Sequence, residues 1–230
     1  MDVQHTIYEV PKVLREQGLD ALVLEKLKLE DHVAEPDFSQ WKRVIETTIN
    51  PRCEVEIAVV GKYIDLHDAY KSIYEAMAHA GISNGVGIKL RKISSDEITE
   101  ANASELLKGV DGILVPGGFG GRGIEGKVKA VQYARENGIP YLGLCYGLQM
   151  AVIEYARNVC GLEGASSTEI EPETAHPVIC PLEEQREVQD MGATMRLGAQ
   201  KTTLAPGRAL DAYGTAEVFE RHRHRYEFNN

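Results

Sequence analysis

Short apolar runs alternate with amphipathic stretches along the chain from about residue 55, and this alternation restricts the possible folds more than any other feature. The apolar runs predict buried strands at 55–61, 86–94, 111–118 and 139–145. The stretches between and after them predict helices at 68–81, 124–138 and 146–161. We expect Asp68 to cap the first of these helices and Gly81 to end it. Strands that alternate with helices predict an α/β fold, with a mostly parallel sheet and helices on both faces.

The segments on either side of this region have different patterns. Residues 10–29 carry apolar residues at helical spacing, interrupted at Gly18, and therefore predict two short helices. A polar, acidic linker is expected at 29–40, followed by one more helix at 41–50. We therefore expect a short helical linker segment before the α/β domain. After about residue 162 the chain is rich in loops, with strand-like patterns in MRLGAQKTTL and AEVFERHRHRYEF.

Charge and cysteine content exclude several functional classes. The 35 acidic residues outnumber the 25 basic ones, and the formal charge of −10 disfavours binding to nucleic acids or anionic membranes. The four cysteines form no C-x-x-C pair, which disfavours a zinc ribbon or a disulfide scaffold. Neither a membrane-spanning apolar run nor a signal-peptide pattern is present in the sequence. We therefore expect a cytoplasmic chain with reduced cysteines.

The segment GLCYG places Cys145 in a G-x-C-x-G frame between a predicted strand and a predicted helix. This is the arrangement of a nucleophile elbow, with sulfur in place of a hydroxyl group. The amino end of the following helix would favour the thiolate over the thiol. The alternative is a structural cysteine packed at the end of a buried strand, because free cysteine is often a small core residue.

A second glycine-rich turn, VPGGFGGRG (115–123), follows the neighbouring predicted strand. Turns at the carboxyl ends of parallel strands meet at one sheet edge, so this turn is expected beside Cys145. The backbone N–H groups of Gly118 and Tyr146 could then form an oxyanion hole. A phosphate-binding loop is the alternative, but the turn has neither the Walker A spacing nor the dinucleotide-binding spacing.

The run RHRHRYEFNN forms the C-terminal end of the sequence. In an unbroken strand its three arginines and Glu227 would face one side, with the two histidines and Tyr226 on the other. An arginine in such a run suits bidentate binding of a carboxylate. The alternatives are a solvated basic strand edge and a nucleic-acid patch, and the second is disfavoured because the chain is acidic and the run is short. The sequence predicts no metal here, because no Cys, Asp or Glu completes a familiar ligand spacing with the two histidines.

Eight segments, in the same order along the chain, resemble the class I glutamine amidotransferases. They are YEVP (8–11), VGKY (60–63), DAYKSIYEA (68–76), LVPGGFGGRGIEGK (114–127), GLCYGLQ (143–149), SSTE (166–169), MRLGAQ (195–200) and RHRHRYE (221–227). The elbow alone is typical of the whole family. The segments RHRHRYE, DAYKSIYEA and MRLG are more specific, and they resemble members that are joined to an ATP-dependent amidoligase.

The resemblance implies a glutamine-dependent ligase in which Cys145 forms a γ-glutamyl thioester and releases ammonia. The amidoligase domain would use ATP and Mg²⁺ to aminate UTP to CTP, with GTP as activator and no cofactor or metal in this chain. The whole enzyme would be a homotetramer. The implied site residues are Gly118 and Tyr146 for the oxyanion, Phe119, Gln149, Glu169, Arg225 and Tyr226 for glutamine, and Arg122 and Glu125 in a GTP-associated lid at 121–127.

The same resemblance implies that residues 1–52 are the end of the amidoligase domain plus a linker. Residues 53–230 would be the glutaminase domain, incomplete at its C-terminus. The base in this family is a histidine followed by Pro-Glu, and none of the seven histidines has that context. We therefore expect this chain alone to be inactive. Two alternatives are a stand-alone thiol hydrolase of the γ-glutamyl hydrolase or peptidase type, and a catalytically dead binding module.

Overall fold

A four-stranded parallel sheet forms the centre of the protein, whose computed structural model describes residues 3–181 and 196–229. The strands lie in the order β2-β1-β3-β4 and every neighbouring pair is parallel. Their bounds are Glu54–Gly61 for β1, Gly87–Ser94 for β2, Gly112–Val115 for β3 and Tyr141–Gly143 for β4. All four predicted strands are therefore present, and the predicted fold class is confirmed.

Helices cover both faces of this sheet, as the alternating side chains of β1 demonstrate. Ala58 and Val60 belong to one apolar cluster together with Ala130 of α6. Val59 points to the opposite face and packs in a second cluster with Tyr74 of α4. The helices around the sheet are α4 at Lys71–Asn84, α5 at Ala103–Leu107, α6 at Ile124–Asn137 and α7 at Tyr146–Asn158. The short helix α5 was not predicted by the sequence pattern.

The two ends of α4 differ from the sequence prediction. A 3-10 turn at His67–Tyr70 precedes the helix, and Asp68 is exposed and does not cap it. Gly81 lies inside the helix, where a Cβ atom would come within 2.7 Å of the carbonyl oxygen of Val86. This glycine therefore allows the chain to return close to the helix, and it does not end it. The helix ends at Asn84 and is capped by Gly85, whose φ of +68° is left-handed.

The N-terminal region has the three helices that the sequence predicts, and 3-10 turns at Ile7–Glu9 and Glu30–His32. Their bounds are Val10–Glu16 for α1, Leu19–Leu27 for α2 and Ser39–Ile49 for α3, and they contain no buried residue. The indole Nε1 of Trp41 donates a hydrogen bond of 2.7 Å to the carbonyl oxygen of Tyr8. The Tyr8 ring lies 6.3 Å from the ring of His79 in α4, which attaches this region to the α/β core. The division into two domains at residue 52 stays a prediction.

The described residues of the C-terminal region form two smaller sheets. One has the order β5-β6-β9, and the other pairs β7 with β8 in antiparallel fashion. The bounds are Ser166–Ser167 for β5, Pro177–Pro181 for β6, Arg196–Thr203 for β7, Arg208–Tyr213 for helix α8, Glu217–His224 for β8 and Tyr226–Phe228 for β9. Met195, in the predicted strand 195–204, lies outside the described residues. Within the described ranges, no helix has the length and apolar character needed to cross a bilayer.

Candidate active site

Cys145 lies at the junction of β4 and α7, at the N-cap position of the helix. Its φ of 52° and ψ of −103° are unusual for a residue with a side chain, and such conformations cluster at functional sites. The turn is also tightly packed. A Cβ atom at Gly143 would lie 2.5 Å from the carbonyl carbon of Gly147 and from the nitrogen of Leu148. The two glycines therefore let the strand turn sharply into the helix and hold Cys145 between them.

A cavity of about 190 Å³ opens beside Cys145. It is smaller than the roughly 300–1,000 Å³ of pockets for drug-sized ligands, and its size suits a small metabolite such as an amino acid. Its lining residues come from four separate stretches of the chain: Gly118, Phe119, Cys145, Tyr146, Gln149, Glu169, Arg223, His224, Arg225 and Tyr226. The fold thus brings together every residue that the sequence reasoning assigns to the nucleophile, the oxyanion or glutamine.

The glycine-rich turn after β3 passes directly beside the nucleophile. A Cβ atom built on Gly117 would lie 3.5 Å from the Cβ of Cys145 and 3.9 Å from its sulfur. On the other side, the N–H group of Tyr146 donates a hydrogen bond to the Cys145 sulfur. This N–H belongs to the first turn of α7, where backbone donors have no acceptor within the helix. Backbone from both turns therefore borders the sulfur, as an oxyanion hole requires.

Hydrogen bonds from three elements fix this glycine-rich turn. The Tyr146 hydroxyl donates to the carbonyl oxygen of Gly120 at 3.0 Å. The N–H of Gly120 donates to Oε1 of Glu169 at 3.0 Å. The Nζ of Lys62 donates to the carbonyl oxygen of Phe119, also at 3.0 Å. The turn is therefore held on the β1 side, the α7 side and the side of the loop that carries Glu169.

Gln149 connects α7 to the C-terminal strand β9. Its Nε2 donates a hydrogen bond of 3.0 Å to the carbonyl oxygen of Tyr226. Its Oε1 is buried and has no hydrogen-bond partner among the described residues. Buried acceptors are usually satisfied, so this oxygen on the cavity wall is suited to accept a hydrogen bond from a bound ligand.

The environment of Cys145 disfavours the thiolate. Burial raises the pKa of the thiol, and the carboxylates of Glu227 and Glu169 raise it further. The hydrogen bond from the Tyr146 N–H lowers the pKa, as expected from the amino end of a helix, but it is outweighed. The amino end of the helix therefore favours the thiolate, as the sequence predicts, but burial and the two carboxylates outweigh it. A reaction at this sulfur needs a base to remove the proton.

The run at 221–228 does not alternate as one strand. The chain bends at Arg225, because β8 pairs with β7 while β9 pairs with β6 in a different sheet. The expectation that Glu227 faces away from the histidines is therefore wrong. The Nδ1 of His224 lies 3.1 Å from Oε1 of Glu227.

Lys127 lies close to the cavity, although the sequence pattern assigns it only to the end of the lid segment at 121–127. Its side chain is buried, and its Nζ lies 5.0 Å from the centre of the Tyr146 ring. Burial lowers the pKa of its ammonium group to about 8, and the charges of Lys62 and Arg122 lower it as well. The signal in the sequence is a lysine between Ile124 and Val128, on the apolar stripe of α6.

The residues assigned to a GTP-associated lid do not line the cavity. Arg122 pairs with Asp96 at 3.2 Å and donates to the carbonyl oxygen of Lys62 at 3.1 Å. The carboxylate of Glu125 accepts hydrogen bonds of 3.0 and 3.1 Å from Arg157. The expected lid spans residues 121–127, but α6 already begins at Ile124. Only residues 121–123 of the lid therefore lack regular structure. The GTP role of this segment stays a prediction.

An ion pair joins α6 to the helix that carries the elbow. Glu154 on α7 is only 1% exposed, and Arg135 on α6 donates to it with Nε at 3.0 Å and with a terminal nitrogen at 2.9 Å. Asn158 donates a further hydrogen bond of 3.0 Å to the same carboxylate. The charge-assisted, two-nitrogen contact fixes the position of α7 relative to α6.

Comparison with known proteins agrees with this geometry. A family model described as "Glutamine amidotransferase class-I" matches residues 65–230. Curated CTP synthases of Caldanaerobacter subterraneus, Carboxydothermus hydrogenoformans and Methanocaldococcus jannaschii are 51%, 54% and 52% identical, over 98%, 97% and 97% of this chain. The chain spans 42% of the length of each. A solved structure, "Trypanosoma brucei CTPS - glutaminase domain with bound acivicin", is 42% identical with a TM-score of 0.70, and covers 76% of this chain and 68% of that one.

Proposed function

Because the chain belongs to the class-I glutamine amidotransferase family, we propose that its cavity beside Cys145 is built to hydrolyse glutamine to glutamate and ammonia. One observation carries this proposal. A single cavity of about 190 Å³ is lined by the strained Cys145, by the acidic Glu169 and by the basic Arg225. The α-ammonium and α-carboxylate groups of an amino acid have charges opposite to those of Glu169 and Arg225. Glutamine also has a side-chain amide, which is the group that the sulfur would attack.

The proposed reaction begins with attack of the Cys145 sulfur on the side-chain amide carbon of glutamine. A C–S bond forms, and the carbonyl oxygen becomes an oxyanion that the N–H groups of Gly118 and Tyr146 stabilise. The C–N bond then breaks, and ammonia leaves after its nitrogen receives the proton that came from the thiol. Water attacks the γ-glutamyl thioester, which releases glutamate and restores the thiol.

The remaining cavity residues are proposed to orient glutamine. Glu169 faces the α-ammonium, and Arg225 binds the α-carboxylate, for which a guanidinium has matching donor geometry. The unsatisfied Oε1 of Gln149 accepts a hydrogen bond from the substrate. Phe119, whose side chain is half exposed, covers the mouth of the cavity, and the backbone of Tyr226 borders it.

A base is required because the pKa of the Cys145 thiol is raised. In the family pattern this base is a histidine followed by Pro-Glu, and the 230-residue sequence contains no such segment. His224 lines the cavity, but its Nδ1 is engaged by Glu227. We therefore expect the 230-residue chain by itself to attack glutamine only slowly.

The curated relatives are named CTP synthases, and this chain spans 42% of their length. We propose that the ammonia released at Cys145 serves an ATP-dependent, Mg²⁺-dependent amination of UTP to CTP in the amidoligase domain that the sequence resemblance implies. GTP would activate the glutaminase through the segment with Arg122 and Glu125. The enzyme would act as a homotetramer.

The test is labelling with 6-diazo-5-oxonorleucine, an electrophilic glutamine analogue, followed by peptide mass spectrometry. We expect slow formation of one adduct on Cys145, prevented by L-glutamine but not by D-glutamine, and absent from Cys145→Ser. Cys180→Ser, which keeps the elbow intact, should be labelled like the unchanged protein. Rapid labelling at Cys145 would show that an imidazole of this chain serves as base. Labelling that L-glutamine does not prevent, or that favours the exposed Cys53 and Cys160, would refute a glutamine site.

A further inference from the structure

We propose that His222, His224 and Glu227 form a binding site for a divalent transition-metal cation of the Zn²⁺ type. His222 and His224 are two residues apart on β8 and therefore share one face of the strand. The bend at Arg225 brings Glu227 to the same face. Its Oε1 lies 3.1 Å from Nδ1 of His224 and 3.9 Å from Nδ1 of His222. On sequence spacing alone a metal is disfavoured here, because an unbroken strand would place Glu227 on the opposite side.

The spacing of the three ligand atoms is close to that of a tetrahedral site. Zinc binds imidazole nitrogen and carboxylate oxygen at about 2.0–2.2 Å, which puts neighbouring ligand atoms about 3.3–3.5 Å apart. The two separations to Glu227 lie on either side of that value, and all three ligand atoms lie within 4.8 Å of one another. Small rotations about the side-chain bonds therefore suffice to bring all three to one cation.

The burial of the cluster fits a ligand site better than a solvated surface. The side chains of His222, His224 and Glu227 are 20%, 22% and 29% exposed. The Nδ1 of His222 is buried and has no hydrogen-bond partner among the described residues. A buried ring nitrogen without a partner is unusual, and a metal ion would satisfy it. Two imidazoles and one carboxylate are also a ligand set that zinc uses, with a fourth position left for water.

The site adjoins the glutamine cavity without using the residues assigned to glutamine. His224 lines that cavity, and the charge of Glu227 acts on the Cys145 thiol, so a bound cation would lie near the nucleophile. The positive charges of the neighbouring Arg223 and Arg225 oppose a cation and lower its affinity. We therefore expect binding that a chelator readily reverses.

The test is titration of the full chain, first treated with a chelator, with Co²⁺ as a spectroscopic substitute for Zn²⁺. We expect visible d–d bands that saturate at one Co²⁺ per chain and disappear when Zn²⁺ is added. His222→Asn, His224→Asn and Glu227→Gln should each weaken binding at least about tenfold, since even residues that only support metal ligands have effects of this size. His32→Asn, which removes an exposed imidazole elsewhere, should bind like the unchanged protein.

Further outcomes distinguish this site from adventitious binding. Two cysteines near the cluster could bind the metal instead. Cys180 lies opposite Glu227 in the pair of strands β6 and β9, and the charge of Glu227 acts on Cys145, so Cys180→Ser and Cys145→Ser are also titrated. The proposal fails if no bands appear, if the three cluster variants bind like His32→Asn, or if only a cysteine variant loses the bands. Circular dichroism and thermal melting, both measured in the presence of chelator, show whether each variant is folded. Only the cluster variants that melt like the unchanged protein are used to judge metal binding. Zn²⁺ should also raise the melting temperature of the unchanged protein but not that of the cluster variants.

Discussion

The Nζ of Lys127 lies 5.0 Å from the centre of the ring of Tyr146, the residue that follows the nucleophile. A Cβ atom at Gly118 would be 3.9 Å from the same nitrogen. The ammonium therefore lies beside Gly118 and the ring of Tyr146, the two residues whose N–H groups are proposed to hold the oxyanion. The side chain is only 1% exposed, so this positive charge is kept near the site at a cost in desolvation.

Replacing Lys127 by Met should stabilise the fold most at low pH. The pKa of Lys127 is lowered from 10.5 to about 8 in the folded protein, so the unfolded chain holds this proton more tightly. The penalty of burying the charge is complete below about pH 8 and disappears as the pH rises to 10.5. The free energy of unfolding, measured with urea, should be higher for Lys127→Met than for the unchanged protein at low pH. This difference should shrink over the stated pH range by at most about 3 kcal/mol. Lys108→Met, at an exposed position, should show no such change, and a constant advantage would contradict the lowered pKa.

Replacing Glu227 by Gln should lower the pKa of the Cys145 thiol. The Glu227 carboxylate is the first of two charges that disfavour the thiolate, and the amide carries no charge. The rate of Cys145 alkylation by iodoacetamide, followed across pH by mass spectrometry in the presence of a chelator, should rise at lower pH in the variant. Glu171→Gln is the control. It removes an exposed carboxylate two residues from Glu169 and should leave the pH profile of alkylation unchanged. An unchanged or raised pKa in Glu227→Gln would contradict the assigned electrostatics.

Removing the guanidinium of Arg135 should be among the most destabilising single changes in the chain. The Glu154 carboxylate would remain buried without its charge partner, which costs about 3–5 kcal/mol. In contrast, the exposed pair Lys12–Glu16, at 3.6 Å, should lose at most about 0.5 kcal/mol in Lys12→Ala. Denaturant unfolding of both variants measures the difference. The double change Arg135→Met with Glu154→Leu should recover most of the loss, and a double variant as unstable as Arg135→Ala would refute the explanation.

Adding one methyl group at Gly143 should disrupt the elbow. The new Cβ atom would lie 2.5 Å from backbone atoms of Gly147 and Leu148, which cannot move without shifting the start of α7. Overpacking of this kind costs about 1–3 kcal/mol or more. Gly121→Ala is the matched control, because among the described residues no atom beyond its two chain neighbours lies within 4 Å of where its Cβ atom would be, and its φ is not left-handed. Thermal melting should separate the two variants, and only Gly143→Ala should lose labelling of Cys145 by 6-diazo-5-oxonorleucine.

Much of the fold could be predicted because its signals are local. The β-branched runs that end in glycine locate β1 and β3, and the glycines around Cys145 locate the sharp turn between β4 and α7. Parallel strands end at one edge of the sheet, so the sequence also predicts that the turns near Gly118 and Cys145 lie together. The ends of α4 could not be predicted in this way. Gly81 interrupts the helical pattern in the sequence, yet it lies inside the helix, where the absence of a Cβ atom leaves room for the carbonyl group of Val86.

The sequence by itself determined the order of strands and helices, the position of Cys145 at a strand-to-helix turn and the glycines that this turn requires. These properties depend on neighbours within a few positions along the chain. Only the tertiary structure decided that Glu227 joins His222 and His224, that Lys127 is buried behind the elbow and that the pKa of Cys145 is raised. The reason is that a bend between two sheets, the depth of burial and the distance between charges depend on residues far apart in sequence.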